Sequence, residues 1–119
     1  MGTRQLSETF LEYIEPALQY FGNPRPFTDS HDAACAIGHV VWNAVILDEL
    51  APETQHIVKA KHQAGNIPEI NSLIDFMAAR KKQLYANDKR VIGIYDITAN
   101  DDGTFVLRAE IHNDVDQLH

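Results

Sequence analysis

The strongest constraint in this chain is the segment from Thr28 to Leu50, which reads as one helix that is apolar almost all the way round. Between Ala33 and Leu47 only His39 and Asn43 are clearly polar. A helix without a polar face has to be buried, and polar groups taken into a core need hydrogen-bond partners there. His31, Cys35 and His39 recur at every fourth position and therefore stack on one face. Asp32 and Asn43 flank that stripe. His31, Asp32, Cys35, His39 and Asn43 are accordingly the candidate ligand-binding residues.

The stripe offers two chemistries, and spacing weakens both. Imidazole and thiolate are good zinc ligands, but His31 and His39 lie two turns apart, about 12 Å along the axis. Three residues on one straight helix cannot then share an ion. A metal would need an adjacent pair completed from Asp32, His56, His62 or His112, which is no recognisable zinc signature, so neither a metal nor a cofactor is expected. A nucleophilic Cys35 with His39 as base is geometrically possible one turn apart. A reactive thiol, however, needs access and a positive setting, whereas Cys35 sits in an apolar helix of a chain with net charge -7. Arg25 and His31 have the spacing of the Arg-x(4–6)-His element of HEPN-type ribonucleases. Those domains are all-helical, and this chain ends in strands.

Around the central helix the periodicity predicts three further helices. Leu6, Phe10, Leu11, Ile14, Leu18 and Phe21 form a helical stripe, with Thr3 or Ser7 as its cap and Gly22-Asn23 as its end. Pro16 should kink or break it. Thr28, Asp29 or Ser30 caps the central helix, and its small residues Ala33, Ala34, Ala36, Gly38 and Ala44 let neighbouring backbones approach. A short helix should run from Pro52 towards Gly65, and another, with Ile70, Leu73, Ile74, Met77 and Leu84 inward, should open at Pro68. The basic residues Arg80, Lys81, Lys82, Lys89 and Arg90 read as a solvated face that complements the end of that helix.

From Val91 the period changes to two. Val91–Thr98 and Thr104–Ile111 flank the turn Asn100-Asp101-Asp102-Gly103 and make a β-hairpin. Phe105, Leu107, Ala109 and Ile111 share the face that should meet the helices. The expected fold is therefore α+β: three to four helices followed by a C-terminal antiparallel hairpin, one domain over residues 1–112 with a flexible tail over 113–119.

At 119 residues the chain can bury a core without crosslinks. Its acidity argues against general nucleic-acid binding, which needs a basic face. One cysteine allows no internal disulfide and suits a reducing cytoplasm. The N-terminus has no apolar signal region, and the central apolar run, interrupted by His39 and Asn43, is too short for a bilayer, so no membrane association is expected. A lone two-stranded hairpin is marginal. It can rest on helices or pair with its copy in a four-stranded sheet across a dimer. In that dimer, proline at an edge position such as Val106 should separate the subunits. The sequence carries no Walker A loop, dinucleotide fingerprint, HExxH, GxSxG or CxxC. The expected role is a self-associating protein-interaction or regulatory module, a homo-oligomer that also meets another protein. The alternative is a small-molecule or metal-binding protein, or an enzyme, built on the central stripe.

Overall fold

The computed structural model describes residues 5–102 and 104–111. Four helices come first: α1 (Leu6–Tyr20), α2 (Asp29–Leu50), α3 (His56–Gln63) and α4 (Pro68–Leu84). The strands β1 (Ile92–Ala99) and β2 (Phe105–Ile111) follow and pair antiparallel. The fold is thus α+β with a C-terminal hairpin. One core runs through α1, α2, α4 and both strands, centred on Phe10, Tyr13, Ile14, Trp42, Ile46, Ile74, Met77 and Ile92. The 113–119 tail lies outside the described residues.

α2 is the hub, touching the other three helices and β1. Thr28 caps it, its hydroxyl accepting from the His31 N–H at 3.3 Å. Asp29 and Asp32 sit in the first turn, where the helix dipole favours them. Trp42 is fully buried against Tyr13 and Tyr85 and donates its indole N–H to the Arg90 carbonyl at 2.7 Å. Gly38 lies at the α1 crossing, over Ile14 and Phe10. At 22 residues, α2 is also long and apolar enough, by length and composition alone, to cross a membrane. That corrects the expectation that it is too short.

Several expectations change once the elements meet. α1 is continuous through Pro16. Pro16 has no N–H to give the Glu12 carbonyl four residues back. Arg80 of α4 supplies one, donating from Nη2 to Glu12 O at 3.0 Å and from Nε to Tyr13 O at 3.2 Å. Gln5 rather than Ser7 is the N-cap of α1; Ser7 lies in the first turn with its hydroxyl on β2, and Thr3 lies outside the described residues. The third helix does not run unbroken from Pro52: a 3-10 turn, Pro52–Thr54, precedes a left-handed Gln55 and then α3. The Asp48 carboxylate caps α3 by accepting from His56 N at 2.6 Å and Ile57 N at 3.1 Å.

The basic set is not one solvated face. Lys81 is buried, 1% exposed, and its Nζ donates to the carbonyls of Tyr85 and Asp88 at 2.7 Å each. It also lies 4.4 Å from the Trp42 ring centroid. Burial lowers its pKa, with Asp88 and Glu49 pulling the other way. Lys89 pairs with Glu49, and Arg90 with Asp88. These cations are spent on the fold rather than presented together.

Candidate functional site

The stripe on α2 does occupy one face, and the hairpin lies across it. His31 is fully buried, its ring edge-on to Phe105 of β2 at 4.7 Å. Its Nδ1 is 3.8 Å from Cys35 Sγ, and its Nε2 is buried without a hydrogen-bond partner. Burial lowers the His31 pKa, against a smaller opposing pull from Asp32. Cys35 is fully buried as well, and burial, reinforced by Asp32, pushes its thiol up to about 11. A thiol that stays protonated in a dry setting is a poor nucleophile and a poor ligand.

His39 and Asn43 bind backbone. The Ile92 carbonyl takes a hydrogen bond from Asn43 Nδ2 at 2.8 Å and is 3.0 Å from His39 Nε2. The Ile92 N–H donates to Asn43 Oδ1 at 2.8 Å. Asn43 thereby offers β1 one donor and one acceptor, as a neighbouring strand would. His39 also meets the Tyr95 ring edge-on at 5.3 Å. Asp32 is exposed at the rim. The five candidate residues thus share one helix–hairpin seam, in which His31 and Cys35 are fully enclosed while half-buried His39 and Asn43 direct polar atoms at the Ile92 backbone. Among the described residues, no group of three or more His, Cys, Asp or Glu side chains is placed to hold a metal ion. Arg25 is exposed on the connector while His31 is buried, so the two do not converge.

What remains open is the outer edge of β1. Asn100 N donates to Thr104 O at 2.8 Å, which makes that pair a bonded one. In an antiparallel ladder bonded pairs alternate with non-bonded pairs. Thr98↔Val106, Asp96↔Arg108 and Ile94↔Glu110 are therefore bonded, while Ala99↔Phe105, Ile97↔Leu107 and Tyr95↔Ala109 turn their amides outward. Ala109 agrees: its N–H donates to Ser7 Oγ at 2.8 Å and its carbonyl accepts from that hydroxyl at 3.4 Å. So α1 covers the β2 edge, with Ser7 as the clamp. On β1, α2 holds only the Ile92 end, ahead of an irregularity at Gly93. The outward amides of Tyr95, Ile97 and Ala99 have no backbone partner among the described residues.

The hairpin face turned from the helices carries Ile94, 60% exposed, and Val106, 55% exposed. Beside the seam, His39 and Asn43 also border a groove between α2 and α3, lined by Val40, Leu47, His56 and Lys59. Neither Ser7 nor Arg80 carries a local signal of its role, because their partners lie 102 and 67 residues away. The open edge was legible in outline, from a hairpin too small to complete a sheet. No family model, curated protein or solved structure matches the chain.

Proposed function

We propose that this protein is a self-associating interaction module of the cytoplasm, and that it works by strand addition at the outer edge of β1. One observation carries the reading: the amides of Tyr95, Ile97 and Ala99 face outward on a side of the hairpin that no helix among the described residues covers. A row of unpaired N–H and C=O groups is a template for a further strand, and natural proteins usually blunt or cover it. The other edge of this hairpin is so covered, by α1.

A second copy suits the edge. Two β1 strands related by a two-fold axis at Ile97 place Asp96 opposite Thr98 and Tyr95 opposite Ala99, so no like charges meet. The result is a four-stranded sheet, which has the independent stability that two strands lack. The single cysteine, buried and unpaired, suits a reducing compartment.

Val106 is not the position at which to test this. Its N–H belongs to the ladder with Thr98, so proline there would break the hairpin itself. Ala99 is exposed and its N–H points outward. Sedimentation velocity from about 1 to 100 µM should show a dimer for the wild type, a range that brackets micromolar association. Ala99→Pro should be a folded monomer. A wild-type monomer throughout, or an Ala99→Pro dimer of unchanged affinity, overturns the reading.

A further inference from the structure

α2 is apolar nearly all round, yet the described residues leave one of its flanks uncovered. Asp29, Ala33, Ala36, Val40, Asn43 and Leu47 follow each other at alternating spacings of four and three, the spacing of a helix-packing seam. Ala36 is exposed, Val40 is 42% exposed, and Ala33 and Leu47 are half-buried. The hairpin covers the His31–Cys35–His39 face, which lies about 100° to 180° round the helix from Val40 at 3.6 residues per turn. α1 crosses at Gly38, on the far side, and α3 borders the flank through Ala60 and Gln63. The bare flank therefore faces the same way as the open edge of β1.

We infer that this flank packs against its own copy, as an antiparallel α2–α2 contact beneath the four-stranded sheet. The inference rests on the self-association proposed above and adds the second half of its interface. A two-fold axis at β1 perpendicular to the sheet keeps both helical layers on one side of it and brings the two flanks together. Along the helix axis the seam's midpoint lies level with Gly38, which itself faces α1, so the axis sets Ala36 opposite the partner's Val40, Ala33 opposite the partner's Asn43, and Asp29 opposite the partner's Leu47. Small side chains at the centre permit a close approach of the axes.

Charge selects a second copy as the occupant. Asp29 and Asp32 lie exposed at one end of the seam. At the other end, the exposed cation Lys59 lines the groove beside Asn43 and Leu47. The antiparallel arrangement brings the acidic end of each copy to the basic end of the other, twice over. A surface that is negative at one end, apolar in the middle and positive at the other is complementary to itself under a two-fold axis.

The test is sedimentation velocity on four variants, each checked for an unchanged far-UV spectrum. Val40→Glu should weaken the dimer at least about tenfold, since it sets a carboxylate against an apolar partner. Asp29→Lys and Lys59→Asp should each weaken it, and the double variant should restore affinity to within about twofold of the wild type, the signature of a direct charge pair. Weakening by Ala99→Pro with no effect of Val40→Glu would leave self-association standing and overturn the helix contact. Additive loss in the charge-swapped double variant would overturn the antiparallel arrangement.

Discussion

Gly38→Ala is the sharpest test of how α2 is held. A Cβ at this position overlaps Ile14 Cγ2 and lies 3.4 Å from Ile14 Cβ and 3.5 Å from Phe10 Cε1. Ile14 is fully buried and β-branched, so turning Cγ2 away swings another branch into the same gap. Two effects then oppose each other. Alanine is better than glycine in a helix interior by about 1 kcal/mol. Overpacking a close-packed contact costs about 1–3 kcal/mol. The overlap is deep and the neighbour rigid, so the upper part of that range applies, and the net loss is about 1–2 kcal/mol. For a chain of this size each kcal/mol moves Tm by about 4 °C. Urea unfolding, followed by the single tryptophan, reads the loss directly as a lower midpoint at constant slope. The decisive comparison is a double-mutant cycle with Ile14→Leu, which moves the branch off Cβ. In that background Gly38→Ala should be neutral or stabilising by up to about 1 kcal/mol. A Gly38→Ala protein as stable as the wild type, or a purely additive double variant, would refute the proposed crossing contact.

The other predictions concern the seam and the buried lysine. Asn43→Ala strands the buried Ile92 N–H and should cost about 2 kcal/mol in urea unfolding; a loss under about 0.5 kcal/mol would show that the clamp does not hold β1. His31 is buried neutral with a lowered pKa, so below about pH 6.5 the unfolded chain binds the extra proton first. Its contribution to stability is fully present above that pH and is lost as pH falls through 6.5 towards its folded value. The wild type should therefore lose more stability between pH 7 and pH 5 than His31→Leu does, and equal losses would refute this. Cys35 should resist alkylation in the native protein and react on unfolding, because its thiol is buried and its pKa is pushed up to about 11; rapid native labelling at pH 7 would contradict that. Lys81→Met, which leaves two carbonyls without their donor, should destabilise by about 1–3 kcal/mol. Lys82→Met, one residue along and exposed, should change stability by less than about 0.5 kcal/mol, and equal effects would remove the assigned role of Lys81.

The order of the amino acids is enough to specify the local structure. Hydrophobic period distinguishes α1, α2 and α4 from the hairpin. Thr28, Gly22-Asn23 and Asn100–Gly103 mark ends and a turn through chemistry that acts over a few residues. It also placed His31, Cys35 and His39 on one face and implied that Asn43 and His39 would need partners, since both conclusions follow from helix geometry and burial alone. Which partners they meet depends on long-range packing. Asn43 and His39 meet Ile92 about fifty residues on, and Arg80 fills the carbonyl that Pro16 leaves vacant. Ser7 closes one edge of the hairpin and leaves the other open. Such pairings carry no local signal, because a side chain's spare donor can reach any backbone group that the packing brings beside it. The same packing laid the hairpin across the stripe of α2 and, among the described residues, left uncovered the strand edge and helix flank from which the dimer is proposed.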